Sequence, residues 1–163
     1  MKYHLIGIGG AGMSVVGELL LAEGAVVSGS DAKASAATEH LVALGAVVSI
    51  GQAAGNVPDD AAVVVSSAIR EDNPELARAA ELGIPVVHRS DALAALMQGL
   101  RPIAVAGTHG KTTTTSMLAV SLGELGLKPS YAIGGDLDAP GSNALHGAGD
   151  IFVAEADESD RSF

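Results

Sequence analysis

The chain has 163 residues, a formal net charge of −10 and no cysteine, and 48% of its residues are hydrophobic although it contains no Trp. The acidic balance argues against nonspecific binding to nucleic acid or to an anionic membrane, because both need basic patches. No apolar run reaches the ~18 residues of a membrane span. The absence of thiols, and an N-terminus that resembles a strand rather than a signal peptide, predict a cytoplasmic protein.

The first hundred residues alternate strand and helix signals, the pattern of a parallel sheet covered by helices. Gly24, Gly45 and Gly83 are placed to end three of the helices. Ser90 is the predicted N-cap of the fourth helix. The predicted elements, in chain order, are strand 3–8, helix 12–23, strand 25–29, helix 34–44, strand 46–50, strand 61–66, helix 73–83, strand 85–88 and helix 91–97.

The pattern restarts after Gly99-Leu100-Arg101-Pro102, which predicts a boundary between domains 1–101 and 102–163. The second part predicts strand 103–106, helix 111–125, strand 130–133, a loop over 134–149 and strand 151–154. The fold class is therefore α/β: a Rossmann-like parallel-sheet domain, followed by the N-terminal part of a P-loop α/β domain. One helix and about three strands cannot cover both faces of a sheet, so we expect this part to pack on the first domain or on another copy in a homo-oligomer.

The first glycine loop, residues 7–12, fits the dinucleotide-binding pattern Gly7-x-Gly9-x-x-Gly12 between a strand and a helix. Gly7 suits a tight turn, Gly9 a close approach to a diphosphate, and Gly12 close helix–strand packing. The pattern predicts a diphosphate at the helix N-terminus, without choosing between NAD and a sugar nucleotide. Asp31, at the end of the second strand, either contacts ribose hydroxyls or serves as a turn or cap residue.

The second glycine loop, residues 107–112, resembles a shortened P-loop, because Val105 stands where the strict pattern has glycine. Its backbone is expected to bind phosphates, with Lys111 neutralising them and Thr112 on the Mg²⁺ side. Thr113 begins a run of β-branched residues. These residues have a low helix propensity, but their hydroxyl groups suit a phosphate site. The alternative is a helix start with a solvated lysine. His109 is either loop filler or a substrate contact.

The last strand leads into an acidic run, Glu155–Asp160, which with Asp150 holds five carboxylates. Glu155 directly follows the strand, at the edge of the sheet where open α/β sheets bind ligands. A carboxylate there is a natural ligand for Mg²⁺. For Asp157, Glu158 and Asp160, a solvated acidic terminus is an equal alternative.

Four segments carry a resemblance to a known family: 7–14 (GIGGAGMS), 66–69 (SSAI) with 72–75 (DNPE), 106–115 (AGTHGKTTTT) and 155–160 (EADESD). Taken in this order they resemble the Mur ligase family of peptidoglycan synthesis. The resemblance runs through the whole chain. Arg161 departs from it, because the family usually has a small residue at that position.

The resemblance implies that the first domain binds UDP-N-acetylmuramate through Gly7, Gly9, Gly10, Ala11, Gly12, Met13, Asp31 and Ser67. It implies that ATP is bound by Gly107, Thr108, His109, Gly110, Lys111, Thr112 and Thr113, and Mg²⁺ by Thr112 and Glu155. The muramoyl carboxylate becomes an acyl phosphate, near Lys111 and His109 as catalytic residues, and the amine of L-alanine then attacks it.

Three alternatives stay open at this point. A relative within the family attaches a recycled peptide instead of L-alanine. An NAD-dependent oxidoreductase would explain the first loop and Asp31 but not the second loop. A noncatalytic sugar-nucleotide-binding module is the third, since the rest of the central domain and the C-terminal domain of such ligases are absent from these 163 residues.

Overall fold

Two β-sheets, one in each half of the chain, carry the fold of this computed structural model, which describes residues 1–134 and 143–156. Strands and helices alternate up to the fifth helix, except that a short 3-10 turn takes the place of a helix after the third strand. The strands are β1 Lys2–Ile6, β2 Val26–Asp31, β3 Val47–Ile50, β4 Ala62–Val65, β5 Val86–His88, β6 Arg101–Val105, β7 Ser130–Ala132, β8 Ala144–Leu145 and β9 Ile151–Glu155. The helices are α1 Ala11–Ala22, α2 Ala36–Ala43, α3 Pro74–Leu82, α4 Arg89–Leu96 and α5 Lys111–Glu124, with a short 3-10 turn at Ala54–Asn56.

The first sheet is entirely parallel, in the order β3-β2-β1-β4-β5. The chain winds outward from β1 in one direction through β3 and then in the other through β4 and β5. The point where the order reverses lies between β1 and β4, and open α/β sheets bind ligands at the carboxyl edge of such a point. The Rossmann-like fold expected from the alternating pattern is confirmed.

Helix boundaries follow the local signals in most places. The α3 helix begins with Pro74 after Asn73, whose side chain accepts a hydrogen bond from the Glu75 N–H at 2.8 Å, and it ends at Gly83 as predicted. The prediction for α4 was wrong at its start. The N-cap is His88, and Ser90 lies inside the first turn, where it contacts the His88 ring at 2.6 Å.

The second sheet has the order β6-β9-β7-β8, with β8 antiparallel to its neighbour and the other pairs parallel. The sequence predicted β6, β7 and β9 but placed a loop over 134–149. Ala144 and Leu145 form β8 inside that range. A two-residue strand carries no alternation that could identify it, so only pairing with β7 reveals it.

The α1 helix lies between the two sheets and contributes to the core on both sides. Met13, Val16 and Leu20 pack in the core of the first sheet, whereas Val15 and Leu19 pack against the second sheet. Phe152 of β9, only 1% exposed, is the largest side chain of the second cluster. The expectation that the second part packs on the first is therefore confirmed, whereas a homo-oligomer stays a prediction.

Within the described residues, none of the helices combines the length and the apolar character that crossing a membrane requires.

A buried carboxylate, Glu75 of α3, ties the first sheet to the turn at Ala54–Asn56. It accepts hydrogen bonds from Ser30 Oγ at 2.6 Å, Asn56 Nδ2 at 2.7 Å and the Ala53 N–H at 3.1 Å, and the ring of His4 lies 3.4 Å away. Burial raises the pKa of Glu75, but these hydrogen bonds outweigh burial and hold the pKa below the usual carboxyl range. The network therefore keeps Glu75 ionised.

Glu75→Gln is expected to lower the free energy of unfolding by about 3 kcal/mol. The hydrogen bonds to a charged carboxylate become weaker, and at least one of their donors then faces the amide N–H₂ group instead of an oxygen. The depressed folded pKa means that the wild-type contribution is complete at neutral pH and is lost as pH falls below the ordinary carboxyl pKa toward the folded one. Urea unfolding between pH 3 and 7 measures both effects. Glu81→Gln, an exposed change on the same helix, is the control. Equal stability of the two variants at pH 7 would contradict the assignment.

Candidate functional site

The first glycine loop forms a tight turn after β1. Gly7 has φ +77°, a conformation that favours glycine, and the N–H groups of Gly7 and Ile8 both donate to the carbonyl of Ser30, at 2.8 and 2.9 Å. The Gly10 N–H donates to Gly7 O at 3.0 Å. Ser30 therefore fixes the loop with its carbonyl while its hydroxyl is held by the Glu75 network.

Asp31 also holds the loop. Its Oδ2 accepts the Gly9 N–H at 2.9 Å, and Oδ1 lies 3.4 Å from the Lys33 N–H. This geometry matches the turn-residue alternative for Asp31, and a ribose contact stays a prediction. The N–H groups of residues 7–10 are thus all engaged by acceptors of the protein itself. The N–H groups of Ala11 and Gly12, at the N-terminus of α1, donate to no other described residue.

Gly7 has the tight-turn role that the pattern predicted, whereas Gly9 and Gly12 also face close neighbours that the pattern did not indicate. A Cβ at Gly9 would lie 2.9 Å from Thr38 Cγ2 and 3.0 Å from Asp31 Oδ2, so α2 packs directly on the loop. A Cβ at Gly12 would overlap the guanidinium of Arg89 rather than a strand. At Gly17, further along α1, a Cβ would lie 3.2 Å from Leu41 Cδ2 of α2 and 3.4 Å from Leu5 Cδ2 of β1.

A cavity of about 320 Å³ lies at the point where the strand order of the first sheet reverses. We call it the switch-point cavity. The loop after β1 lines it from one side and the segment after β4 from the other. Its described lining is Gly7, Gly10, Ala11, Gly12, Met13, Ser66, Ser67, Ala68 and Arg89. The structure thus brings most of the predicted first-site residues to one cavity, whereas Gly9 and Asp31 are not in the lining.

Ser67 connects this cavity to β5. Its hydroxyl lies 3.2 Å from His88 Nε2, and His88 Nδ1 lies 2.6 Å from Ser90 Oγ. This chain of hydrogen bonds runs from the end of β4 to the first turn of α4. Sequence reasoning did not single out His88 or Arg89, although His88 ends β5 and Arg89 directly follows it, and a position at the end of a strand is the signal that identified Glu155.

The second glycine loop leads from β6 into α5, with Gly110 as N-cap at φ +77°. Lys111 Nζ donates to Gly107 O at 2.7 Å, and His109 Nδ1 lies 3.3 Å from Thr108 Oγ1. The backbone N–H groups of residues 107–113 donate to no other described residue, in contrast to those of the first loop. A run of free N–H groups at a helix N-terminus is suited to binding phosphate.

A second cavity, of about 170 Å³, lies between the two sheets, and we call it the bridging cavity. Gly12, Val15 and Arg89 line it on the side of the first sheet. Lys111 and Glu155 line it on the side of the second sheet and do not form an ion pair with each other. Thr112 is not in the described lining. Residues that are about a hundred positions apart therefore share one cavity.

The carboxylate oxygens of Glu155 are suitable ligands for a divalent cation. Glu155 Oε1 is buried and has no hydrogen-bond partner within the described residues. A buried carboxylate oxygen needs a donor or a cation, and Mg²⁺ prefers such oxygen ligands. The described residues do not bring three His, Asp or Glu side chains together. Asp157, Glu158, Ser159, Asp160 and Arg161 lie outside the described residues.

The comparison with protein families now decides the family. Residues 2–101 match the model of the Mur ligase family, catalytic domain. The chain belongs to the Mur ligase family. The resemblance carried by the four segments is confirmed.

Mur ligases whose names specify alanine are similar to this chain throughout its length. The chain is 80% identical over 161 residues to the UDP-N-acetylmuramate–L-alanine ligase of Streptomyces avermitilis, covering 98% of this chain and 35% of that protein. The corresponding ligase of Streptomyces coelicolor is 79% identical with the same coverage. The chain thus spans about a third of the length of the curated relatives it matches.

Solved Mur ligase structures share the fold. The UDP-N-acetylmuramate–alanine ligase of Thermotoga maritima has a TM-score of 0.83 at 35% identity, covering 95% of this chain and 37% of that one. A UDP-N-acetylmuramate:L-alanyl-gamma-D-glutamyl-meso-diaminopimelate ligase from Neisseria meningitides has a TM-score of 0.87 at 33% identity. The match covers 99% of this chain and 54% of that one. The backbone of this region is therefore common to Mur ligases that differ in the group they attach.

Gly9→Ala tests the packing of α2 on the first loop. The added methyl would meet Thr38 and Asp31, so we expect the free energy of unfolding to fall by about 1–3 kcal/mol, as for overpacked sites. Gly123→Ala is the matched control, because a Cβ there meets nothing within 4 Å and alanine favours a helix by about 0.5–1 kcal/mol. Chemical denaturation measures both. A Gly9→Ala protein as stable as wild type would show that α2 does not press on the loop.

Proposed function

We propose that this chain is the substrate-binding part of an ATP-dependent ligase that joins L-alanine to the carboxylate of UDP-N-acetylmuramate. The observation that carries the proposal is the bridging cavity, where Gly12 at the end of the first loop and Lys111 and Glu155 of the second sheet meet. The high identity to relatives named for this reaction supports the choice of substrates.

Residues 1–101 then form the domain for the sugar nucleotide and residues 102–163 the N-terminal part of the ATP-binding domain. The diphosphate lies at the N-terminus of α1, where Ala11 and Gly12 have free N–H groups, in the switch-point cavity lined by Met13 and Ser67. The sugar extends toward the bridging cavity. We place the protein in the cytoplasm, since a chain without cysteine fits a reducing compartment.

The nucleotide is held by the second loop. The free N–H groups of residues 107–113 surround the phosphates, and Lys111 exchanges its bond to Gly107 O for a phosphate oxygen. Thr112 and Glu155 hold Mg²⁺, which supplies charge neutralisation when bound. His109 is exposed in the second loop, and we assign it to the transferring phosphate.

The reaction proceeds in two steps. An oxygen of the muramoyl carboxylate attacks the γ-phosphorus, the bond to the β-phosphate oxygen breaks, and ADP leaves. The amine nitrogen of L-alanine then attacks the acyl carbon, the C–O bond to phosphate breaks, and the amine loses a proton as the amide forms. Lys111 stabilises the negative charge that develops on the phosphoryl oxygens, which is the main contribution a protein makes to such transfers.

A second candidate is a ligase that attaches a peptide to the same nucleotide. The TM-score of 0.87 to the Neisseria ligase favours it, but the identity to that protein is 33% against 80% to an L-alanine ligase. Comparing L-alanine with the tripeptide as the amine substrate of the full-length protein would separate the two, by the rate of ADP release.

Calorimetry with the 163-residue chain tests the proposal directly. We expect UDP-N-acetylmuramate to bind and NADH not to bind, because Asp31 is engaged with the Gly9 N–H. We expect no L-alanine-dependent ADP release from the chain alone, since the described site brings no complete set of metal ligands together. Binding of NADH in place of the sugar nucleotide would refute the proposed function. Turnover by the chain would refute the second expectation.

The substitution Lys111→Ala tests nucleotide binding by the second loop separately from binding by the first loop. We expect the affinity for Mg·ATP to fall at least tenfold, about 1.4 kcal/mol, because the ammonium that pairs with phosphate oxygens is lost. The affinity for UDP-N-acetylmuramate should be unchanged. Lys2→Ala, at the opposite end of β1 and exposed, is the control for the loss of one positive charge. Equal Mg·ATP binding by Lys111→Ala and wild type would remove Lys111 from the site.

A further inference from the structure

The segment 72–75 (DNPE) is one of the four that carry the family resemblance, and the proposed function gives it no role. Its last residue, Glu75, is 0% exposed and is the only buried Asp or Glu among the described residues. A buried charge costs free energy unless it is paired and hydrogen-bonded, and apolar residues of similar volume are often at least as stable. Stability alone therefore does not explain a carboxylate at this position.

The two oxygens of Glu75 contact different parts of the first domain. Oε1 accepts hydrogen bonds from the Ala53 N–H and from Asn56 Nδ2, at the 3-10 turn. Oε2 accepts the Ser30 hydroxyl at 2.6 Å, near the end of β2, and lies 3.4 Å from the ring of His4. Hydrogen bonds to an ionised acceptor are short and about twice as strong as those between neutral groups. The carboxylate thus fixes the Ser30 side chain firmly.

The backbone of Ser30 holds the first glycine loop. Its carbonyl accepts the N–H groups of both Gly7 and Ile8, so one acceptor uses its two lone pairs on the turn. The pairing of β1 with β2 ends at Ile6 opposite Ser30, and the strand ladder does not continue into the loop. Because the hydroxyl and the carbonyl belong to one residue, fixing the hydroxyl limits how far the carbonyl can move.

We propose that Glu75 is a positioning residue for the first glycine loop. Through the Ser30 hydroxyl, it holds the Ser30 carbonyl in the place from which that carbonyl fixes Gly7 and Ile8. Glu75 is not in the described lining of the switch-point cavity or of the bridging cavity, so it acts on a ligand only through the loop. A loop that is ordered before the ligand arrives loses less conformational entropy on binding. The effect on binding rests on the proposed function, which places the sugar nucleotide at this loop.

Hydrogen exchange, followed by NMR without denaturant, tests the support of the loop in the absence of any ligand. Under these conditions amides exchange through local openings as well as through global unfolding. Ser30→Ala removes the hydroxyl and keeps the carbonyl. We expect the Gly7 and Ile8 amides to exchange roughly tenfold faster, the factor that one lost hydrogen bond to a charged group produces. Glu75→Gln should accelerate the same two amides, and the double variant should add little to the larger single effect. Unchanged exchange at both amides would overturn the proposal, as would fully additive effects.

Ser28→Ala is the matched control. Ser28 lies on the same strand as Ser30, and its hydroxyl contacts the same network at 2.9 Å from His4 Nδ1. Its carbonyl accepts neither of the two loop N–H groups. We expect Gly7 and Ile8 to exchange as in the wild type. Equal acceleration in the Ser28 and Ser30 variants would mean that the network contributes only to global stability, and Glu75 would not be a positioning residue.

Asn56→Ala keeps the proposal testable if Ser30→Ala does not fold, because it changes a turn rather than a central strand. It removes the donor that lies 2.7 Å from Oε1 of Glu75. The carboxylate is then held less firmly, so we expect a smaller acceleration at Gly7 and Ile8, roughly threefold. No acceleration in this variant would contradict the proposal.

Calorimetry tests the consequence for binding. We expect Ser30→Ala to weaken UDP-N-acetylmuramate roughly tenfold and to leave the affinity for Mg·ATP unchanged, since the network has no printed contact with the second loop. Ser28→Ala should change neither affinity. Equal losses for both ligands, or no loss for UDP-N-acetylmuramate, would overturn the role of Glu75 in binding. A wild-type chain that does not bind UDP-N-acetylmuramate refutes the proposed function instead, and hydrogen exchange still decides whether Glu75 holds the loop.

Discussion

The packing of α1 against two sheets determines where the two glycine loops lie relative to each other. Met13, Val16 and Leu20 face the first sheet, and Val15 and Leu19 face the second. A helix that is apolar on most of its circumference needs cover on most of its circumference. Because the same helix begins at the first loop, any shift of the second sheet along α1 changes the distance between the loops. Hydrophobic packing thus sets the geometry of a polar site.

The two loops are both rich in glycine but differ in the backbone N–H groups that they leave available. In the first, the turn is held by hydrogen bonds to Ser30 and Asp31, so its backbone is rigid but offers few donors. In the second, residues 107–113 leave their N–H groups available, and Lys111 lies within the loop. An anion at the first loop would therefore need a cation from another element, whereas the second loop contains a lysine of its own. A glycine pattern alone does not distinguish these cases.

Much of the fold could be predicted from the sequence because its signals are local. Apolar runs identified the strands, and Asn73 with Pro74 identified the start of α3, since capping depends on neighbouring residues. What escaped prediction depends on contacts between distant residues. The β8 strand exists through pairing with β7, and Gly12 is needed because of Arg89, 77 positions further along the chain. Lys111 and Glu155 could be placed together because both follow parallel strands, whereas Arg89 follows a strand with no motif around it.

The Glu75 network has an evolutionary consequence. His4, Ser30, Asn56 and Glu75 come from a strand, another strand, a turn and a helix, and each contact involves the same carboxylate. A change at one of these positions leaves a buried donor or a buried charge without its partner. The four positions should consequently be inherited as a unit, so that lineages replace them together or keep them all. Ser30 belongs to this unit and also holds the first loop, so sequence change in the buried network is restrained by the conformation of that loop.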